Sequence, residues 1–260
     1  MLATPEDREL FPALLRKVRQ RAPSPDQPGE LLLAVGSAFL GTPFAARTLE
    51  QEKGEELVIN LRQLDCFTFI ENALVLTQLL RAGKTSFADF AASLEALRYR
   101  QGQRDGFASR LHYFTDWLAD NQKQGFVREI TGAIGGVPFR KEINFMTTHR
   151  ENYPALAAPE VYARMQAVEK TCSARLLRHI PKASLQTAAG KIQDGDLLAI
   201  TSQLAGLDVV HLGLAVHLKR GLHLLHASQR AGQVVISTGT LYRYLQRRTS
   251  RLGVMVARLR

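Results

Sequence analysis

The segment CFTFIENALVLTQLLRAG, residues 66–83, constrains the fold more than any other part of the chain. Apolar side chains lie almost all round its helical projection, so the helix that it predicts has to be buried on nearly every side. Such a helix needs other helices or a sheet around it. The chain has 260 residues, of which 45% are hydrophobic and 22% charged, and is therefore large enough to build that core.

The pattern of the chain changes near its middle. The first half is mostly helical in periodicity, although residues 57–59 predict a short strand. After TGAIGGVPF (131–139), short β-rich runs alternate with turn residues, namely GDLLAITS, LDVVHLGLAVHL, LHLLHAS and GQVVIST. This order predicts an α+β fold in which N-terminal helices pack on a C-terminal antiparallel β-sheet. No linker separates the halves, so residues 1–260 are expected to form a single domain.

The net charge of +10 favours anionic partners. The densest basic stretch, residues 242–260, alternates with apolar residues and predicts an amphipathic helix running into a final strand. A solvated basic face is therefore expected there, rather than a nucleic-acid arm. No stretch is long and apolar enough for a membrane span, and charges interrupt the start where a signal peptide would be apolar. We expect neither nucleic-acid binding nor stable membrane insertion.

The chain has two cysteines, and neither belongs to a CxxC pair. Cys66 begins the buried helix, where the helix N-terminus is expected to lower the pKa of its thiol and make it nucleophilic. By this pattern alone a packed core cysteine is the commoner case. Cys172 lies in a polar stretch and is interpreted as a bystander, as Glu71 and Asn72 are interpreted as structural.

Four histidines cluster late in the chain, and strand geometry sorts them. A hairpin that turns at 219–221 would bring His211 and His226 side by side on one face. His217 would lie roughly 20 Å along the strand from His211, too far for one shared Zn²⁺. His223 would point to the opposite face from His226. The pair predicts a Cys–His nucleophile oriented by a third group, with a zinc site as a rival.

Several motifs together resemble the NlpC-type family of bacterial cell-wall cysteine hydrolases. They are DCFTF, LDVVHLGLAV, HLLHAS, GTPF and GDLLAI. Further segments are similar to the branch of that family that resembles N-acetylmuramoyl-L-alanine amidases, namely TLE, LVINLRQLDCFTFIEN, SRLHYFTDWLADN and INFMTTHRENYPAL. The resemblance spans residues 36–256, which would form the catalytic core behind an N-terminal helical extension, residues 1–30. It implies a papain-like fold.

The resemblance also implies roles. Cys66 would be the nucleophile, His211 the general base and acid, and His226 the orienting residue, with Asp208 as a rival orienter. No metal or cofactor is implied. The substrate would be peptidoglycan fragments (muropeptides), cut at the amide between the lactyl group of N-acetylmuramic acid and L-alanine. The protein would be a monomer of the cell envelope or periplasm, or secreted.

Six residues are candidates for substrate binding. Phe44 stands where relatives usually have tyrosine, and Phe67 stands where they often have a small hydroxyl residue, so both are expected to alter substrate choice. Asp65 could bind a substrate amine or cap the helix. The spacing i, i+3, i+7 predicts that three further residues share one helix face suited to a sugar or carboxylate, or to helix packing: Arg110, Tyr113 and Trp117.

Three other functions stay open on the sequence. One is the same chemistry at the D-glutamyl to diaminopimelate bond. Another is a Zn²⁺ site built from the clustered histidines. The third is a non-catalytic wall-binding module, in which Cys66 would be unreactive.

Overall fold

The computed structural model describes residues 1–20, 24, 26–50 and 54–260. In those ranges the α-helices are α1 (Pro5–Arg19), α2 (Pro28–Ala38), α3 (Cys66–Arg81), α4 (Phe87–Arg98), α5 (Phe114–Lys123), α6 (Phe145–Thr148), α7 (Pro159–Ser173), α8 (Leu185–Ala188) and α9 (Leu241–Gln246). The strands are β1 (Val127–Glu129), β2 (Val137–Phe139), β3 (Leu177–Pro181), β4 (Leu197–Ser202), β5 (Val209–Leu218), β6 (Gly221–Ser228), β7 (Gln233–Ile236) and β8 (Arg251–Leu259). Short 3-10 helices occupy Arg100–Gly102, Phe107–Ser109, Arg150–Asn152, Pro154–Ala157, Lys182–Ser184 and Ala189–Lys191.

The strands form one antiparallel sheet in the order β2-β3-β8-β4-β5-β6-β7, with β1 also paired to β8. The architecture is therefore mixed α/β with an antiparallel sheet, as the sequence predicts. The four β-rich runs are confirmed as β4, β5, β6 and β7, which follow one another as a meander. The papain-like assignment stays a prediction. None of the helices in the described ranges is long and apolar enough to cross a membrane.

The final strand that the sequence predicts is present as β8, in a place that the sequence left open, whereas another predicted strand is absent. The strand β8 lies between β3 and β4, where Leu198 faces Val256 and Ile180 faces Val254. The strand predicted at 57–59 is wrong, because in that stretch only an isolated bridge joins Val58 to Leu2. The chain turns directly afterwards, since the Asn60 side chain accepts the N–H groups of two following residues.

The helix α3 is buried as predicted, and it packs against α2, α4 and β5. Both faces of the central strands are covered. On one face, Leu212 and Leu214 join the core that contains α3. On the other, Leu224 and Val256 join a second cluster with α8 and α9. The N-terminal helices thus pack on the sheet, and burial on both sides holds β5 and β6 in one register.

A buried ion pair crosses this core. Arg98 donates through Nε to Glu71 Oε2 over 2.8 Å and through Nη1 to the carbonyl of Val58 over 2.6 Å. The two side chains are 2% and 1% exposed. Burial raises the pKa of the Glu71 carboxyl, and the charge of Arg98 opposes that rise. Glu71 and Asn72 are both buried in α3, in line with their interpretation as structural.

Replacing Arg98 with alanine is expected to lower the free energy of unfolding by ~3–5 kcal/mol, because it leaves the Glu71 carboxylate buried without its partner. Urea unfolding monitored by circular dichroism measures the change. Arg104→Ala is the matched control, since the Arg104–Glu95 pair is 31% and 32% exposed and should cost only ~0–1 kcal/mol. Equal losses in the two variants would contradict this assignment.

Candidate active site

Asp65 sets the start of α3. Its Oδ1 accepts the N–H of Phe67 over 3.0 Å and the N–H of Thr68 over 2.8 Å, while Thr68 Oγ1 accepts the N–H of Asp65. This capping box makes Cys66 the first residue of the helix. Of the two roles open to Asp65 on the sequence, the structure places it in the cap. A contact with substrate stays a prediction.

The loop before α3 is held from two sides. Asp7, at the start of α1, accepts the N–H of Leu61 through Oδ1 over 2.9 Å. The GTPF segment runs beside Leu64, whose N–H donates to the carbonyl of Pro43 over 3.0 Å. The next residue, Phe44, is half-buried and donates its N–H to Gly232 beyond β6. The structure therefore brings Phe44 close to the residues that lead into Cys66.

The predicted histidine hairpin is present. The strands β5 and β6 pair up to Leu218 and Gly221. His211 Nε2 lies 2.6 Å from His226 Nδ1, and the two rings are nearly perpendicular. Because Nε2 of His211 is engaged by His226, Nδ1 is the ring nitrogen left for proton transfer.

The thiol of Cys66 lies against β5. The backbone N–H of Leu212, the residue after His211, is close enough to the Cys66 sulfur to lower the pKa of its thiol. The charge of a Cys66 thiolate would also act on the hydroxyl of Tyr244, whose ring packs against both histidines. The structure thus brings Cys66 into the neighbourhood of the histidine pair, although Cys66 is not among the residues lining the cleft described below.

The protonation state differs from the sequence prediction. Burial, followed by the negative charge of Asp65, raises the pKa of the Cys66 thiol to about 12, against the opposing N–H groups of the helix start. The expected low pKa is therefore wrong, because enclosure of the sulfur outweighs the helix N-terminus. Burial lowers the pKa of His211 to about 3 and that of His226 to about 4, with Arg251 adding to both shifts. The resting site holds a neutral thiol and two neutral imidazoles.

A cleft of ≈ 1120 Å³ opens beside the histidine pair. Tyr244 of α9 forms part of its wall, with ring centroids 6.1 Å from His211 and 5.4 Å from His226. Arg251, at the start of β8, stacks over Tyr244. Sequence reasoning missed both residues. The density of basic residues at 242–260 was the available signal, but the pattern indicated only a solvated face.

The predicted helix face of Arg110, Tyr113 and Trp117 is wrong. Arg110 follows a 3-10 helix in extended conformation, and Tyr113 caps α5. All three side chains are buried, and none lines the cleft. Arg110 bonds Glu50, and the Tyr113 hydroxyl donates to Glu169. The prediction that these three residues contact substrate is not supported by their buried positions outside the cleft.

Phe67 and Trp117 do meet. Their rings pack edge to face with centroids 6.1 Å apart, and Phe67 is half-buried. Phe67, in the first turn of α3, therefore packs directly on the buried ring of Trp117. Any effect of Trp117 on substrate choice would act through the position of Phe67.

The remaining candidates have other surroundings. Asp208 accepts the N–H groups of Thr115 and Val209, so its carboxylate is engaged away from the histidine pair. Cys172 has polar neighbours in the sequence, but its own side chain is buried in the core near the end of α7. In the described ranges, no three histidine, cysteine or acidic side chains are grouped so that they could hold a metal ion.

This arrangement fixes a tautomer. For Nδ1 of His211 to accept a proton, Nε2 must carry one and donate it to Nδ1 of His226. The second histidine then acts as a neutral acceptor that orients the first. A thiol near an unprotonated imidazole, at a helix start, is suited to nucleophilic attack on a carbonyl.

A family model and a similar solved structure both indicate an amidase family. A family model, AmiA-like, described as N-acetylmuramoyl-L-alanine amidase-like, matches residues 34–254. A crystal structure of an N-acetylmuramoyl-L-alanine amidase from Bacteroides uniformis is 38% identical, with a TM-score of 0.86 over 90% of this chain and 99% of that one. No curated protein matches.

Two further structures share the fold. A Bacteroides fragilis protein described as a candidate xylanase is 38% identical, with a TM-score of 0.82 over 86% of this chain and 99% of that one. A Legionella pneumophila protein is 20% identical, with a TM-score of 0.69 over 98% of this chain and 93% of that one. This similarity indicates a shared fold and nothing about function.

The raised thiol pKa makes a prediction for alkylation. Because the thiolate of Cys66 is a small fraction throughout, its labelling by iodoacetamide should rise about tenfold per pH unit from pH 6 to 9, without a plateau. Mass spectrometry of the labelled peptide measures the rate. Cys66→Ser reports any labelling of Cys172. A rate that is already maximal at pH 6 would show a low-pKa thiolate instead.

The histidine pair makes a prediction for acid stability. Both residues titrate near pH 6.5 when unfolded but are neutral in the fold, so the unfolded chain binds more protons as pH falls below 6.5. Stability contributed above pH 6.5 is therefore lost between pH 6.5 and about 4. Wild type should lose roughly 2–4 kcal/mol more than His211→Gln/His226→Gln between pH 7 and 4.5, measured by urea unfolding. Equal acid sensitivity would contradict the neutral pair.

Proposed function

The chain belongs to the N-acetylmuramoyl-L-alanine amidase-like family of peptidoglycan hydrolases, and from this premise we propose that it uses Cys66 to cut the amide between the lactyl group of N-acetylmuramic acid and L-alanine. The observation that carries the proposal is the contact between His211 and His226 beside the N-terminus of α3. The proposal retains the NlpC-type, papain-like assignment and a location in the cell envelope or periplasm, or outside the cell after secretion.

The first half of the reaction forms an acyl-enzyme. The thiol of Cys66 attacks the lactyl carbonyl while its proton passes to Nδ1 of His211, so that attack and proton transfer occur together from the neutral resting pair. His226 Nδ1 accepts the hydrogen bond that His211 donates from Nε2, and it stabilises the imidazolium that forms on His211. His211 then gives the proton to the nitrogen of L-alanine as the C–N bond breaks.

The second half restores the enzyme. His211 takes a proton from water, and the resulting hydroxide attacks the thioester. As the C–S bond breaks, His211 returns its proton to the Cys66 sulfur and the lactyl acid loses its own proton to solvent, so the products are a lactyl carboxylate and the free thiol. Because Asp65 accepts the N–H groups of Phe67 and Thr68, the N–H of Cys66 is the first-turn donor left to bind the oxyanion.

Cys66→Ala is expected to lower hydrolysis of a muramoyl peptide by roughly 10⁴-fold or more, because the nucleophile is absent. His226→Gln should lower kcat by roughly 10²-fold, since the tautomer of His211 is held less well. Mass spectrometry of the products measures both. Cys172→Ala, which removes the other thiol outside the cleft, is the control and should retain activity.

The products also separate the alternatives. A bare lactyl carboxylate with a free L-alanine amine supports the amidase. Cleavage between D-glutamate and diaminopimelate would replace it with the endopeptidase. Release of new sugar reducing ends would indicate glycan cleavage. Full activity in Cys66→Ala would refute cysteine catalysis.

A further inference from the structure

The cleft beside the histidine pair has one strongly positive side. Four arginines line it: Arg230 follows β6, Arg247 and Arg248 follow α9, and Arg251 begins β8. We call these four the arginine wall. They come from two separate segments of the chain, residue 230 and residues 247–251, and none of the residues lining the cleft is acidic.

The arginine wall has no ion-pair partners in the part of the chain that the structure describes, where no carboxylate lies within 4.0 Å of any of its members. Eight of the other arginines are paired with carboxylates, namely Arg62, Arg98, Arg100, Arg104, Arg110, Arg164, Arg175 and Arg258. Unpaired guanidinium groups gathered in a cleft focus a positive potential and suit carboxylate or phosphate ligands.

Arg251 is the member closest to the proposed chemistry. Its guanidinium carbon lies 3.9 Å from the centroid of the Tyr244 ring, and it donates to the carbonyl of Tyr244. The same ring packs against His211 and His226. One aromatic ring therefore separates a fixed cation from the histidine pair. The positive charge of Arg251 lowers the pKa of both histidines, so an anion bound at Arg251 would make His211 a stronger base.

Resting on the proposed function, we propose that the arginine wall binds the carboxylates of the stem peptide, so that the preferred substrate is a muropeptide with an acidic stem. The residue after L-alanine in the stem is D-glutamate. Two extended residues span ~7 Å. A carboxylate that far from the scissile amide is within range of a cation that one aromatic ring separates from the histidine pair. Arg251 is thereby assigned to one carboxylate of this glutamate, and the three exposed arginines to its other carboxylate.

Three ligands of one shape test this assignment. They are N-acetylmuramoyl-L-alanyl-D-glutamate, its D-isoglutamine form with one carboxylate amidated, and the form with both carboxylates amidated. Their affinities are measured by calorimetry with Cys66→Ala protein, so that binding does not depend on catalysis. Cys66→Ala protein with an intact arginine wall should bind the diacid about tenfold more tightly than the diamide, because each exposed charge contact contributes a few-fold.

Charge removal in the arginine wall completes the test. In Cys66→Ala protein that also carries Arg247→Gln and Arg248→Gln, the tenfold preference for the diacid should fall to about twofold, because two of the four cations are gone. The matched control carries Lys219→Gln and Arg220→Gln, which remove the same charge from the β5–β6 turn outside the cleft. It should keep the full preference.

The outcomes separate this inference from the proposed function. Equal affinity for diacid and diamide overturns the arginine wall as a carboxylate site, even if the amidase products are formed. A retained preference in the variant lacking Arg247 and Arg248 charge does the same. If inorganic pyrophosphate displaces the diacid at a lower concentration than a free D-glutamyl peptide does, the arginine wall is a phosphate site. That outcome also overturns the inference. Absence of hydrolysis with an intact diacid preference refutes the amidase reaction alone.

Discussion

The burial of α3 against β5 is the constraint on which the rest of the structure depends. An apolar helix of this kind is stable only when covered, and α2, α4 and the sheet cover it. Its first turn then has one position, fixed by the Asp65 cap and by the bond of Asp7 to Leu61. Because β5 is also the strand that carries His211, the packing that stabilises the core sets the distance between the two halves of the candidate site.

The sequence predicted those parts of the molecule whose cause is local. The periodicity of α3 and the spacing between His211 and His226 depend on neighbours along the chain, and both predictions agree with the structure. The place of β8 could not be predicted, since its partners β3 and β4 are distant in sequence. The same holds for the thiol pKa, because desolvation depends on tertiary burial that no motif encodes. The helix expected through Arg110 failed because a 3-10 turn and a bridge to Tyr99 interrupt it.

The electrostatics of the site differ from those of a preformed ion pair. The thiol and both imidazoles are neutral, and the nearby charges are the carboxylate of Asp65, which acts on Cys66, and the cation of Arg251, which acts on both histidines. A neutral nucleophile is protected from adventitious oxidation, because oxidants react with the thiolate. The free protein therefore holds little thiolate or imidazolium. An anionic substrate that binds nearby raises the basicity of the histidines when they have to accept a proton.

The central place of β8 has a consequence for how the molecule is made. Residues 251–259 are the last of the described strands to leave a ribosome, yet they pair with one edge of β3, with one edge of β4 and with β1. Until then, β3 and β4 expose unpaired edges that can pair with other chains. The sheet therefore closes after translation of this segment rather than during it. The histidine cleft, which is walled by α9 and β8, is therefore completed only once this segment is available.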